Sequence, residues 1–301
     1  MPAIEINRLT KTYGHTKALD DLSLTVDKGE IFGYLGPNGS GKTTTIRLML
    51  GMINPTAGSI LINGYDAQTQ KQLAHRQIAY VPGESNLWPF LSGEETLHLL
   101  AKVHGQCDVK YRQKLIKDFD LLPNKKVRTY SKGNKQKIAL IAALASRADI
   151  LIMDEPTAGL DPLMEQVFRQ TIREAHANNQ TVFLSSHILD EVEALCERVA
   201  LLRSGRIEKV GTLEELRSLS ALKIEASFKT VPPDVRKIKG VSRIVVSGNH
   251  LSCEVHGPME DLLGVLSKAK PVSLLSRAPS LEELFVSMYE TKGRNNDRHD
   301  S

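Results

Sequence analysis

The chain has 301 residues, 41% of them apolar, and its 39 basic against 35 acidic side chains leave a formal charge of +4. That length allows about two globular domains with a sizeable core, and so small a charge argues against nucleic acid as a partner. No uncharged apolar run approaches the ~20 residues that span a bilayer, residues 1–6 carry no leader pattern, and Cys107, Cys196 and Cys253 lack disulfide or metal-ligand spacing, so a reduced, cytosolic protein is expected.

In chain order, the first chemically informative segment is an apolar strand-like run at residues 31–35 that leads through Gly36, Pro37, Asn38, Gly39, Ser40, Gly41, Lys42, Thr43 and Thr44 into a helix-like run at 45–52. Glycines let successive N–H groups turn toward a phosphate without a Cβ in the way, and the following helix aims its positive end there. Lys42 is placed to reach the β- and γ-phosphates and Thr43 to ligate Mg²⁺, so the segment predicts binding of a nucleoside triphosphate.

A strand at 78–82 follows, and residues 84–146 read as mostly helical. One helix starts around Leu91, Ser92, Gly93, Glu94 and Glu95, with Leu97, Leu100, Ala101 and Val103 on its apolar face. Before it, Trp88 and Phe90 flank Pro89; they either cover a small local core or stand out as anchors for a partner helix. A further helix is expected at 135–145.

The apolar run at 149–153 reads as a buried parallel strand ending in Asp154 and Glu155. Ligands of a doubly wound sheet gather at the carboxyl ends of its strands, so this pair is expected beside the phosphate loop. Asp154 then holds the Mg²⁺ shell, and Glu155 accepts a proton from the attacking water. A third strand, 181–184, runs through Ser185 and Ser186 to His187, whose imidazole N–H reaches toward the γ-phosphate. A helix at 188–196, a strand pair at 198–207 and a helix at 212–218 complete this part.

Beyond it, residues 222–228 alternate with period two and predict a half-buried strand. A short helix at 233–237, strands at 244–246 and 251–255 around a Gly248–Asn249 hairpin turn, a helix at 259–268 and a strand at 272–275 follow. The order βαββαβ predicts a small split βαβ, ferredoxin-like sandwich. Ser280, Leu281, Glu282 and Glu283 form a capping box for a last helix, and the charged tail from residue 291 is expected to be disordered.

Taken together, the phosphate loop, the segment Tyr130 to Gln136, the run from Ile150 through Glu155 to Pro162, and His187 resemble the ATP-binding subunit of an ABC transporter. The resemblance covers roughly residues 3–215. It implies an α/β fold: a P-loop ABC ATPase domain at 1–218, with a mixed sheet core and a helical subdomain at about 84–146 that contacts membrane subunits, then a small α+β domain at 219–290. That second domain resembles the accessory C-terminal domain of bacterial export-type ATPases and is expected either to sense a ligand or to brace the dimer, with bracing favoured because no cluster of convergent polar residues marks a pocket.

The resemblance also implies roles. Tyr13 matches the aromatic residue that stacks on adenine, or is simply a turn tyrosine packed on a sheet edge. Ser131 and Gly133 match the signature segment that holds the opposite subunit's nucleotide, and Asp161 matches the loop that crosses the dimer interface, although Asp161 also suits a helix cap. With one phosphate loop and one signature segment per chain, hydrolysis needs a dimer, either with a second copy or with a related ATPase subunit. ATP and Mg²⁺ are the implied cofactors. The implied function is ATP hydrolysis driving a multi-spanning permease, with export the expected direction, at the inner face of the cell membrane; the alternative is a soluble ABC-type ATPase acting on nucleic acid or ribosomes.

The chain departs from the family pattern where a glutamine usually follows the strand at 78–82, because Gly83 and Glu84 stand there. Either Glu84 takes over the glutamine's role at Mg²⁺ and water, or it is a solvated loop carboxylate. Lys132 and Asn134 also replace the usual glycine and glutamine of the signature segment.

Overall fold

The first unit opens with the strands β1 (Ile4–Tyr13) and β2 (Thr16–Val26), paired antiparallel and joined by a tight turn at Gly14 and His15. The computed structural model describes residues 1–218, 222–277 and Glu283, and the chain divides into two compact units, 1–211 and 212–301. Strands β4 (Ala57–Ile62) and β5 (Tyr65–Asp66) extend the first hairpin into a four-stranded antiparallel sheet ordered β2-β1-β4-β5.

The second sheet of this unit carries the chemistry. Strand β3 (Ile31–Leu35) is followed by helix α1 (Lys42–Met49), then helix α2 (Lys71–Arg76) and strand β6 (Ile78–Val81). Helices α3 (Gly93–His104), α4 (Val109–Asp118) and α5 (Lys132–Ala145) form the helical part. Strand β7 (Ile150–Asp154), helix α6 (Pro162–Ala177), strand β8 (Thr181–Ser186), helix α7 (Leu189–Leu195) and strands β9 (Arg198–Arg203) and β10 (Arg206–Thr212) complete it. The order is β10-β9-β3-β8-β7-β6, with β3 parallel to both β8 and β9, and β7 parallel to both β6 and β8.

Strands β3, β7 and β8 are buried along their whole length, which is why they read as unbroken apolar runs rather than alternating ones. Phe183 lies between Phe32 and Tyr34 at ring-centroid separations of 6.1 and 5.1 Å, and all three are fully buried. Truncating such a side chain costs about 3–5 kcal/mol. The parallel register aligns Asp154 with Ser185 and Leu35 with Ser186, so the carboxyl ends of β3, β7 and β8 share one edge.

Several local expectations shift. Helix α1 starts at Lys42 rather than Thr45 and ends at Met49 rather than 52, because Gly41 at its N-cap holds φ at 113° and turns the chain directly from loop to helix. Helix α5 starts at Lys132, capped by the Ser131 hydroxyl, which accepts from the Asn134 N–H at 3.2 Å. In α3 the apolar face is narrower than expected: Leu97 is buried, whereas Val103 is 74% exposed. The α3 start is a complete capping box, with the Ser92 hydroxyl on the Glu95 N–H and the Glu95 carboxylate on the Ser92 N–H. Among the described residues no helix is long and apolar enough to cross a membrane.

The second unit has helix α8 (Leu213–Ser218) and strands β11 (Leu222–Ser227), β12 (Val241–Ser247), β13 (His250–Val255) and β14 (Ser273–Arg277), with helix α9 (Glu260–Lys268) between the last two strands. The sheet order β12-β13-β11-β14 is wholly antiparallel. Gly248, at φ 58°, turns the hairpin between Ser247 and His250. Ile224, Ala226, Leu251, Cys253 and Val255 face Val235, Leu262 and Leu266 in a core of its own.

The helix expected at 233–237 is absent, so the βαββαβ order becomes βββαβ. Pro232 and Pro233 remove two amide donors, and the Asp234 carboxylate takes the Arg236 N–H at 3.0 Å, forming a local turn in place of a helical start. The helix expected from Ser280 and the tail from residue 291 lie outside the described residues, apart from Glu283.

Candidate active site

The loop from Gly36 to Gly41 is determined by close approaches. A Cβ on Gly36 would stand 2.4 Å from Ser40 Oγ and 2.6 Å from the Leu202 carbonyl, and one on Gly41 would stand 2.9 Å from the Ala18 carbonyl. Gly39 and Gly41 have φ of 79° and 113°. Together they wrap the chain around the N-terminus of α1, whose free N–H groups and dipole favour an anion there.

Lys42 is 6% exposed and donates from Nζ to the carbonyl oxygens of Gly36 at 2.6 Å and Pro37 at 3.3 Å. Its nearest carboxylate oxygen in an ion pair is Glu155 Oε1 at 3.9 Å. Burial pushes the ammonium below its ordinary value, and Glu155 and Asp154 pull it back up. An anion at the loop would favour the charged lysine further.

Thr43 and Asp154 meet across the loop and the end of β7. The Thr43 hydroxyl donates to Asp154 Oδ2 at 3.1 Å, and Ser185 donates to Asp154 Oδ1 at 3.0 Å. Burial raises the Asp154 pKa, opposed by those two hydrogen bonds. Among the described residues no group of three or more His, Cys, Asp or Glu converges to form a metal cage. One hydroxyl and one carboxylate are instead what a protein would contribute to a Mg²⁺ ion whose remaining ligands came from phosphates and water. The donor set therefore fits Mg²⁺ bound with a nucleotide.

Glu155 sits one residue past the strand at φ 48°, a left-handed conformation that costs a non-glycine residue of order 1–3 kcal/mol. Its N–H continues the sheet by donating to the Ser185 carbonyl at 2.9 Å. Its carboxylate is 3.0 Å from His187 Nδ1. The start of α1 and the ends of β7 and β8 thus bring together Lys42, Thr43, Asp154, Glu155 and His187, as expected from sequence, and add Ser185, whose bond to Asp154 no sequence motif marks.

Other expected residues lie apart from this group. Tyr13 ends β1 with its ring 47% exposed and Lys11 Nζ 4.9 Å above it, so one π-face is already taken by a cation. Ser131 is exposed and caps α5. Gly133 packs against the loop after Glu155: a Cβ there would stand 2.3 Å from the Gly159 carbonyl. Asp161 is a cap, its carboxylate accepting the Met164 N–H at 3.0 Å ahead of Pro162 at the first turn of α6. Glu84 is exposed, and the residue pressed against the site is Gly83, whose Cβ position is 3.1 Å from the Asp154 carbonyl.

Two further contacts escaped the sequence reading. Buried Gln136 bonds the loop after β6 at Pro82 and Ser85. Ser186 accepts from the Ile188 N–H at 3.0 Å and donates to Glu191 at 2.7 Å, tying the turn that carries His187 to α7. Glu191 is 5% exposed, and burial raises its pKa.

The family profile described as "ABC transporter" matches residues 19–158. The chain is 33% identical to the Nod factor export ATP-binding protein I of Rhizobium etli, over 95% of this chain and 93% of that protein. It is 30% identical to the linearmycin resistance ATP-binding protein LnrL of Bacillus subtilis, over 95% and 97% of the two chains. Among solved structures, an ATP-binding subunit of an ABC transporter superposes with a TM-score of 0.68 at 33% identity, covering 72% of this chain and 92% of that one. A dimeric bacterial ABC transporter cassette superposes with a TM-score of 0.64 at 25% identity, covering 70% and 98%.

Proposed function

Because the chain belongs to the ABC transporter family and is one of its ATPases, we propose that it dimerises head to tail on ATP, hydrolyses it, and so drives a separate multi-spanning permease, most readily an exporter. The observation that carries this reading is the meeting of Lys42, Thr43, Asp154, Glu155 and His187 at three adjoining strand ends. Lys42 and the N–H groups around it hold the triphosphate. Thr43 and Asp154 hold Mg²⁺, which when bound neutralises phosphate charge. Glu155 takes the proton of the attacking water, and His187, bonded to it, holds that carboxylate in place and reaches the γ-phosphate. Ser131 and the N-terminus of α5 face the partner's nucleotide, and Asp161 sits in the loop that crosses between subunits. Tyr13 offers its free face to adenine. Glu84 stands in for the missing glutamine; unchanged turnover and Mg²⁺ dependence in Glu84→Ala would remove that role.

These two relatives are named for Nod factor export and for linearmycin resistance, which favours transport over a soluble ATPase working on nucleic acid or ribosomes. A cavity of about 620 Å³ in the first unit, lined by Leu50, Met52, Tyr80, Val103 and His104 among others, suits a cytoplasmic helix of the permease. Trp88 and Phe90, 49% and 75% exposed and outside the lining of that cavity, serve as further anchors for the permease rather than covering a local core. The second unit, set at 219–290 from sequence, braces the dimer. The location that follows is cytoplasmic, at the inner face of the membrane through the permease.

The test is co-purification of the tagged Glu155→Gln chain from native membranes in ATP and Mg²⁺, with bound proteins identified by mass spectrometry. Recovery of a multi-spanning membrane protein is expected. Recovery of ribosomes or DNA-associated proteins without one would overturn the permease reading.

A further inference from the structure

Gln136 is 1% exposed, in the second turn of α5. Its amide nitrogen donates to the Pro82 carbonyl at 3.0 Å, and its amide oxygen accepts the Ser85 hydroxyl at 2.9 Å. Both side-chain groups of one buried residue are thus spent on a single short loop, at Pro82 on one side of Gly83 and Glu84 and Ser85 on the other. A buried amide satisfied at both ends is a rigid tie, since losing either partner leaves a desolvated polar group.

What the tie joins gives it meaning. At one end is the loop that follows β6, whose Gly83 lies against the Asp154 main chain and next to Glu155, with the Glu155 Cβ 3.7 Å from the Gly83 Cβ position. At the other end is α5, whose N-cap is Ser131. Gln136 lies five positions after Ser131, about 7.5 Å along one helix at ~1.5 Å per residue, a length over which a helix moves as a rigid body. We propose that Gln136 is a positioning residue that locks the loop beside this chain's own Glu155 to the helix that presents Ser131 to the partner's nucleotide, so that occupancy at one site is sensed at the other. The inference rests on the proposed placement of Ser131 at the partner's nucleotide.

The mechanical consequence is specific. A displacement of the Pro82–Ser85 loop when a nucleotide enters beside Asp154 pulls on Gln136 and turns α5, and with it Ser131. Without the tie each site still binds ATP through Lys42 and Thr43, but closure of the dimer is no longer matched to the state of the loop. The loss therefore falls on turnover and on dimer closure rather than on ATP affinity.

The experiment uses the purified full-length chain and compares Gln136→Ala, Ser85→Ala, Ser85→Thr and Ser131→Ala in steady-state ATPase assays, with ATP-driven dimerisation measured in the Glu155→Gln background. Gln136→Ala is expected to lower kcat about 10-fold while KM stays within about 2-fold, because the group acts on orientation rather than on binding. Ser85→Ala, which removes one hydroxyl at a half-buried loop position, is expected to lower kcat about 3-fold, and Ser85→Thr, which retains the hydroxyl, to restore it. Combined, Ser85→Ala and Gln136→Ala are expected to lower kcat no further than Gln136→Ala alone, since both break one contact. Wild-type turnover and dimerisation in Gln136→Ala and Ser85→Ala, beside a slow Ser131→Ala, would overturn this inference while leaving the role of Ser131 intact. Full turnover in Ser131→Ala would remove the placement on which the inference depends, and the inference with it.

Discussion

Lys42 and Asp154 in the first unit are each 6% exposed, whereas in the second unit Arg243 and Glu254 pair at 3.1 Å with side chains 50% and 28% exposed, and Lys223 and Glu225 pair at 3.3 Å with 31% and 45%. Burial pushes Lys42 and Asp154 toward their neutral forms, while the pairs on the β11–β13 sheet stay in water. Charges are costly to bury unless something pairs with them. Their retention where the start of α1 meets the end of β7 marks a functional site, one whose electrostatics the proposed triphosphate and Mg²⁺ would complete. The second unit shows the opposite economy: its core is apolar, and its charges lie on a wet face where ion pairs contribute little. The two units thus differ in where they tolerate desolvated charge as well as in architecture.

The sharpest test of that contrast removes the charge of Glu155 while keeping its shape. Glu155→Gln is expected to lower ATPase kcat about 10²- to 10⁴-fold, the range of a positioned general base, with ATP affinity preserved. Phosphate-release kinetics and equilibrium ATP binding on one preparation check both halves. Retained turnover would place the base elsewhere and break the comparison at its strongest point.

One substitution made in both units comes next in size. Gly36→Ala places a methyl 2.6 Å from the Leu202 carbonyl and 2.4 Å from Ser40 Oγ, so main chain must move and ATP binding is expected to fall by at least about 10-fold. Gly264→Ala in α9 meets nothing within 4 Å and replaces the poorer helix former, so the second unit is expected to gain about 1 kcal/mol. ATP titration and thermal unfolding read the two effects, and a loss of stability in Gly264→Ala would show that its surroundings are more constrained than its open side suggests.

The same contrast explains what was legible in the sequence. The phosphate loop and the carboxylates after β7 are readable because the chemistry requires scarce residue types at fixed spacing, and β3, β7 and β8 because burial on both faces enforces unbroken apolar runs. Strands β1 and β2 were not singled out: register shifts between Ile6 and Leu9 and between Leu9 and Lys11, with Arg8 and Asp21 at φ 47° and 52°, interrupt the period-two signal. The helix at 233–237 fails for a local reason, the Asp234 turn after two prolines. Ser185, Gln136 and the fit of Gly133 against Gly159 depend on which distant segments meet, and no local pattern encodes that.

The smallest expected effect lies at an exposed carboxylate of the first unit that does not follow the rule for exposed charges. Glu95 is bound by the Ser92 backbone N–H at 2.6 Å, with Lys126 at 3.2 Å, and these hold its pKa down at about 2 against an ordinary 4.5. A depressed carboxylate contributes stability that is fully present above its unfolded pKa and is lost as pH falls through the folded one. The contribution of Glu95 is therefore complete above about pH 4.5 and disappears toward pH 2. Glu95→Gln is expected to lower the unfolding midpoint of the first unit slightly at pH 6, with the gap from wild type narrowing on acidification. The fluorescence of Trp88, the chain's single tryptophan, follows the loop that leads into α3, since its carbonyl accepts the Leu91 N–H at 3.3 Å. A gap that stays constant between pH 6 and pH 3 would mean that the Ser92 N–H, the largest cause of the shift, does not hold the charge, and that Glu95 behaves like the surface pairs of the second unit.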